Sequence, residues 1–207
     1  MFNILPFYLG IPIVRTMLAD VLKVAITSAA GLKDEIEYWR GSGTLCFDSS
    51  ATTFSPASTP EADIFSAVCA ELAQQKIFRA RTSEEMDILK KHLYILRIQN
   101  SPLGGLCLVP EENGWYELCA LWSGFIKGGY VGKALVEHAK KQVGTQKAQL
   151  FALTKSKSAS KLFDASGFQS LGFLSVLQKN PPFHLPHKLE QYDVSIRDPQ
   201  LFTYLPQ

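Results

Sequence analysis

The chain has 207 residues, 46% hydrophobic and 19% charged, with a formal net charge of +2. It is too apolar to be disordered, and long enough for one core of about 150 residues plus an extension. The near-balanced charge excludes the strong basic excess of a dedicated nucleic-acid binder, and no apolar run reaches the roughly 18 residues of a transmembrane helix.

Met1 to Val14 is apolar but lacks a basic leading region. Pro6 and Pro12 interrupt it and no small-residue cleavage site follows, so a secretory signal is not expected. Leu18 to Ala30 is predicted as a helix from the spacing of Leu18, Val21, Leu22, Ala25 and Ile26, with Gly31 as its stop. A second short helix is predicted over Lys33 to Trp39, ending at Gly41-Ser42-Gly43. Ser49 to Pro60, rich in Ser, Thr and Pro, reads as a linker or an irregular strand. Residues 1–53 are therefore expected to form a helical extension and linker, and 54–207 the main domain.

After Pro60 the pattern becomes regular. Glu61 to Gln75 is predicted as a helix with Ile64, Val68 and Leu72 on one face. Thr82 or Ser83 caps a helix through Lys91, with glutamates in its first turn. Strands are predicted at Leu93–Ile98, Leu106–Val109 and Tyr116–Trp122. An amphipathic helix follows over Tyr130–Val143, with Val131, Leu135 and Val136 inward. Then come a strand at Ala148–Leu153, a helix at Lys157–Ser166 and a strand at Phe168–Leu171. The tail from Leu177 carries five prolines and little periodicity. Hairpins followed by a helical crossover imply an α/β or α+β fold whose sheet is mixed in direction.

Four cysteines, Cys46, Cys69, Cys107 and Cys119, form no CxxC pair, and His184 and His187 lack metal-ligand spacing. Buried free thiols in a reducing cytoplasm are expected, and no metal. Cys119 reads as inert packing rather than as a covalent carrier. His92 and His138 fall in helical stretches and read as packed or solvated side chains.

The junction Leu118-Cys-Ala-Leu-Trp-Ser-Gly-Phe-Ile-Lys-Gly-Gly-Tyr-Val-Gly-Lys-Ala-Leu135 runs from strand through a Gly-rich turn into a helix. A helix start presents unpaired N–H groups and the positive end of the dipole, and glycines let a phosphate approach the backbone. Gly128, Gly129 and Gly132 are thus a candidate pyrophosphate cradle, or simply a tight connection. Neither a Walker loop nor a dinucleotide fingerprint has this spacing. From Lys127 to Lys161 there are eight lysines and one acidic residue, Glu137. Such charge is either a solvated face or a means of steering a polyanion.

The loop and the order of elements resemble the GCN5-related N-acetyltransferase (GNAT) family. Its pattern Arg/Gln-x-x-Gly-x-Gly/Ala falls on Lys127, Tyr130 and Gly132, so Lys replaces Arg and Tyr replaces the first Gly. A second block, Ser156-Lys-Ser-Ala159-Ser-Lys-Leu162-Phe163 then Gly167-Phe168, resembles Asn-x-x-Ala-x-x-Leu-Tyr then Gly-Phe. The acetyltransferase domain of bacterial-type N-acetylglutamate synthase is a branch with further likeness. Ile77-Phe-Arg-Ala-Arg81-Thr-Ser-Glu-Glu, Tyr116-Glu-Leu-Cys-Ala120, Leu150-Phe-Ala-Leu-Thr154, Leu185-Pro186, Tyr192, Arg197 and Trp39-Arg-Gly-Ser-Gly-Thr-Leu45 follow its order. The likeness covers about residues 35–205. The branch's amino-acid-kinase domain, which carries arginine control, has no counterpart here beyond what would be its last helix.

The resemblance implies a GNAT fold: a mixed, mostly antiparallel central sheet flanked by helices. It implies acetyl-CoA as cosubstrate, held by Leu121, Trp122 and Ser123 and by Lys127, Gly128, Gly129, Tyr130, Val131, Gly132 and Lys133. Backbone N–H groups of that strand could also polarise the thioester carbonyl. The acceptor amine is protonated at pH 7 and needs a base; Glu117 is the candidate, directly or through water. Phe163 occupies the family's tyrosine position and cannot donate a proton, so Ser156, Ser158 or water is left to protonate the thiolate, unless it departs unassisted. If the acceptor is glutamate, Arg81 and Arg197 are the expected carboxylate partners; otherwise they are ordinary surface arginines. The expected partners are a small-molecule amino acid and, through residues 1–50, a second copy or a separate chain. No nucleic acid or membrane is expected. The reading is an amino-acid N-acetyltransferase, feeding arginine synthesis if the branch holds. Its alternatives are a GNAT enzyme for another small amine and a degenerate acyl-CoA-binding or partner-dependent regulatory module.

Overall fold

The computed structural model describes residues 52–74, 78–98, 101–123, 129–179, 189, 193–195 and 198–206, with the backbone of 23–26 and 44–47. Strands β1 (Lys23–Ile26) and β2 (Thr44–Phe47) pair antiparallel in a sheet of their own. This corrects the helix predicted over Leu18–Ala30. Over so short an apolar run the helical and strand periods coincide, and the β-branched Val24 and Ile26 suit a strand. The helix predicted over Lys33–Trp39 lies outside the described residues.

The main sheet has seven strands: β3 (Thr52–Pro56), β4 (Leu93–Ile98), β5 (Ser101–Pro110), β6 (Trp115–Ser123), β7 (Gln149–Thr154), β8 (Gln169–Phe173) and β9 (Gln200–Tyr204). Their spatial order is β3-β4-β5-β6-β7-β9-β8. Each neighbouring pair is antiparallel except β6 and β7, which a helix connects in parallel. The Ser/Thr/Pro-rich stretch supplies β3 at one edge, where Pro56 is tolerated because one side of the strand needs no ladder partner.

Helices α1 (Thr59–Gln74) and α2 (Ser83–Lys91) cover one half of a sheet face, with Phe65, Cys69, Leu89, Ile95, Cys107 and Val109 buried between them and the strands. Helix α5 (Leu174–Leu177) covers the other half over Trp115, Phe151 and Leu201. On the opposite face lie α3 (Gly129–Gly144) and α4 (Lys157–Ala165), over Leu96, Leu106, Leu118, Leu150 and Phe202. Val131, Leu135 and Val136 point inward as expected.

Helix α1 departs from the sequence reading. Its buried positions are Ala62, Phe65 and Cys69, while Ile64 is 65% exposed and Val68 37%. Pro60 and Glu61 fix its start: Pro suits the first turn, where its missing N–H would have no intrahelical partner, and the Glu61 carboxylate accepts from the Ser58 N–H at 2.8 Å. Thr82 caps α2 in a reciprocal box with Glu85, each accepting from the other's backbone N–H.

Arg97 on β4 ties three elements together. Its Nε donates to Glu61 at 2.9 Å and its Nη1 to Ser55 on β3 at 2.7 Å. The Arg97 hydrogen bond outweighs desolvation and holds the Glu61 carboxyl well below its ordinary 4.5, at about 2. The folded chain thus binds fewer protons than the unfolded chain between these values, so this contribution is complete above pH 4.5 and fades as pH falls toward 2. The urea midpoint of the wild-type chain is expected to drop more steeply with acid over that window than that of Glu61→Gln. Parallel acid profiles would remove this pair as a source of acid sensitivity.

Candidate active site

Strand β6 is the axis of the site. It pairs with β7 at only three positions, ending at Glu117 opposite Phe151. Beyond that point β6 runs on to Ser123 and β7 to Thr154 without pairing each other, while β7 keeps β9 on its other edge. A wedge opens between two parallel strands, with edge N–H and C=O groups on both sides. On its other side, β6 carries one extra residue against β5: Gly105 faces Trp122, but Cys107 faces Cys119. Ala120 takes φ +50° at this bulge. A bulge twists the strand locally and re-aims its peptide groups, and it sits where the wedge begins.

Side chains alternate across β6. Leu118 and Leu121 face the α3–α4 core, whereas Cys119, Ala120 and Trp122 pack toward α1 and α2. Glu117 shares the parity of Cys119 and lies between the α1–α2 cluster and the α5 cluster. Glu117 is 8% exposed. A carboxylate at such a cleft is a candidate for proton transfer on its position.

Arg81 reaches the same neighbourhood from the residue before the α2 cap. It is half-buried, and its Nε makes no hydrogen bond among the described residues. The Cys119 thiol is pushed up first by its hydrogen bond with Cys107, then by burial and the Glu117 charge, with Arg81 opposing. Burial likewise pushes Cys69 to about 11. These thiols stay protonated at neutral pH, which makes Cys119 a poor nucleophile.

Helix α3 begins at Gly129, just past the end of β6, and its 16 residues give it a full dipole. In its first turn Val131 is wholly buried, so the side chain anchors the helix and leaves only its backbone for a ligand. Tyr130 is 47% exposed and Lys133 exposed. A Cβ on Gly132 would stand 3.0 Å from Leu162, so this glycine lets α4 approach α3 closely. Ser123 is exposed and Trp122 half-buried. Lys127, Gly128 and Arg197 lie outside the described residues.

Ser156 caps α4, accepting from the Ala159 N–H at 3.3 Å and sharing a 3.0 Å hydroxyl contact with Ser158. It stands beyond the end of β7. Phe163 packs into the core against Phe168 and Phe202, so no proton donor stands at that position. His138 stacks on Phe54 with ring centroids 5.1 Å apart; burial lowers its pKa, and its role is packing. Among the described residues no group of His, Cys, Asp and Glu is arranged to hold a metal, and no helix is long and apolar enough to cross a membrane.

Two features escaped the sequence reading: the bulge at Ala120, and Gly104 and Gly105 on β5, which face Ser123 and Trp122. The adjacent glycines in an otherwise apolar strand were the available signal, since glycine there marks a close backbone approach.

No protein-family model matches the chain, and no curated protein matches it. Solved structures do. N-acetylglutamate synthase from Neisseria gonorrhoeae, complexed with coenzyme A and N-acetyl-glutamate, superposes with a TM-score of 0.62 at 18% identity, covering 87% of this chain. This chain spans 41% of that synthase's length. A GNAT-family acetyltransferase from Staphylococcus aureus Mu50 gives 0.56 at 13% identity, over 76% of this chain and all of that one. Aminoglycoside 6'-acetyltransferase type Ii gives 0.51 at 13% identity, over 74% of this chain and 96% of that one. The chain has the fold of the GCN5-related N-acetyltransferases.

Proposed function

We propose that this chain is an acetyl-CoA-dependent N-acetyltransferase acting on the amino group of an amino acid, with glutamate as the acceptor the synthase likeness suggests. The observation that carries the reading is the parting of β6 from β7 immediately after Glu117, with α3 starting just beyond β6. The wedge offers edge peptide groups to an amide-bearing chain, and the helix start offers N–H groups to a diphosphate. Leu121 to Ser123 would line the first; Lys127, Gly128, Gly129, Tyr130, Val131, Gly132 and Lys133 would hold the second. Acetyl-CoA supplies the activated acetyl group. Glu117 takes the proton of the incoming ammonium, directly or through water, and the amide N–H groups near the Ala120 bulge are placed to donate to a developing oxyanion. Ser156, Ser158 or water protonates the leaving thiolate, unless it departs unassisted. Arg81 and Arg197 hold the acceptor carboxylates; the unpartnered Nε of Arg81 supports the first.

A thiol-release assay with acetyl-CoA and a panel of amino acids tests this reading. Turnover with one or a few amino acids is expected, and its absence with all of them removes the enzyme. Arg81→Ala is expected to raise the glutamate KM about tenfold or more while leaving that of acetyl-CoA alone, as a lost charged hydrogen bond of about 1.5–3 kcal/mol requires. An unchanged glutamate KM would take Arg81 out of the acceptor site.

Tyr130 favours a second reading. A half-exposed tyrosine where the family pattern has glycine crowds the cradle, as in a degenerate module that binds acyl-CoA without turnover, or works only with a partner chain. Calorimetry showing acetyl-CoA binding in a chain without turnover would select it. Arginine synthesis and the cytoplasm belong to the same proposal as the glutamate acceptor, and a partner chain held through residues 1–50 belongs to the second reading.

A further inference from the structure

We propose that Gly104 and Gly105 are positioning residues, the first for the coenzyme side of the site and the second for the acceptor side; this rests on the transferase reading above. The two glycines lie opposite Ser123 and Trp122, the last residues of β6. Successive positions on a strand point to opposite faces, so the space each glycine leaves open belongs to a different half of the site.

A Cβ on Gly104 would stand 2.6 Å from the Trp122 carbonyl oxygen, 2.9 Å from Val131 Cγ1 and 3.1 Å from Ser123 Cα. Those three residues are the end of the coenzyme strand and the first turn of α3. With any side chain at 104, the strand end or the helix start must move outward, and with it the N–H groups assigned to the pantetheine and the diphosphate.

A Cβ on Gly105 would stand 2.8 Å from the Tyr94 carbonyl oxygen and 2.9 Å from both Ile95 Cδ1 and Trp122 Nε1. The Trp122 indole nitrogen therefore packs over the bare backbone of Gly105. There it walls a small, open, apolar groove with Ile64, Phe65 and Val68 of α1. Neither Glu117 nor Arg81 lines this groove, but it opens on the same sheet face as Glu117, the face from which the acceptor amine would approach. Pressed there, the indole N–H is buried with no hydrogen-bond partner among the described residues. An unsatisfied buried donor costs free energy, so the placement is maintained by packing against that glycine.

The test is a pair of neighbouring substitutions with opposite signatures. Gly104→Ala is expected to weaken acetyl-CoA binding, measured by calorimetry without acceptor, by about tenfold or more, with the acceptor KM within about threefold. Gly105→Ala is expected to do the reverse and to change the Trp122 fluorescence. Should Gly105→Ala fail to fold, it is repeated with Ile95→Val, which lacks the Cδ1 that the new methyl meets; a Gly104→Ala chain that does not fold makes that glycine a folding residue and overturns its half of the proposal. A purely structural role moves both constants together or moves only the melting temperature; either result overturns the proposal while leaving the transferase standing. A wild-type chain that binds no acetyl-CoA overturns the transferase reading, and this inference with it.

Discussion

Glu117→Gln is expected to lower kcat by about 10²- to 10³-fold while leaving the acetyl-CoA Kd unchanged. An acceptor α-amine is largely ammonium at neutral pH and cannot attack a thioester until a proton leaves. Glu117 stands at the last β6–β7 pair, where the wedge opens, on the face away from α3. Its replacement by an amide keeps volume and packing but removes the proton acceptor. The deficit is therefore expected to shrink as pH rises, because more acceptor then arrives already neutral. That pH dependence separates lost base catalysis from simple damage, which would lower kcat equally at every pH. A kcat within threefold of wild type at pH 7 would assign the proton to another group.

The legible parts of the chain were those whose local chemistry and tertiary setting agree. Leu93–Ile98 reads as a strand and is one over the same residues, because its apolar run is buried on both faces. Helix α2 was legible from Thr82 and its glutamates, since a capping box is satisfied within four residues. Helix α1 was legible as a helix but not in its orientation. Ile64 and Val68 were the expected inward positions, yet the sheet takes Ala62, Phe65 and Cys69, because the large Phe65 ring sets which side of α1 is buried. The wedge and the bulge were not legible, because both depend on register between strands distant in sequence. The last strand was missed as well: Leu201-Phe-Thr-Tyr204 is short, flanked by Pro199 and Pro206, and earns its place only by pairing on both sides.

That missed strand carries the largest expected loss of stability. Phe202 is 1% exposed and pairs with Ala152 on β7 and Ser170 on β8, so it pins two strands at once. Its ring lies 5.5 Å from that of Phe163, which in turn lies 5.2 Å from Phe168. Phe202→Ala is expected to cost about 3–5 kcal/mol, from lost transfer free energy and from a cavity that the hydrogen-bonded strands on either side cannot close. That is a large share of the 5–15 kcal/mol that typically holds a domain folded. Leu205→Ala, three residues on and 57% exposed, is expected to stay within about 0.5 kcal/mol and serves as the control. Urea unfolding followed by circular dichroism reads both, with the slope m checking that the transition remains two-state. A loss below about 1 kcal/mol for Phe202→Ala would mean that β9 does not close the sheet between β7 and β8. The ordering of Phe163 and of α4, whose first residues border the wedge, would then need another source.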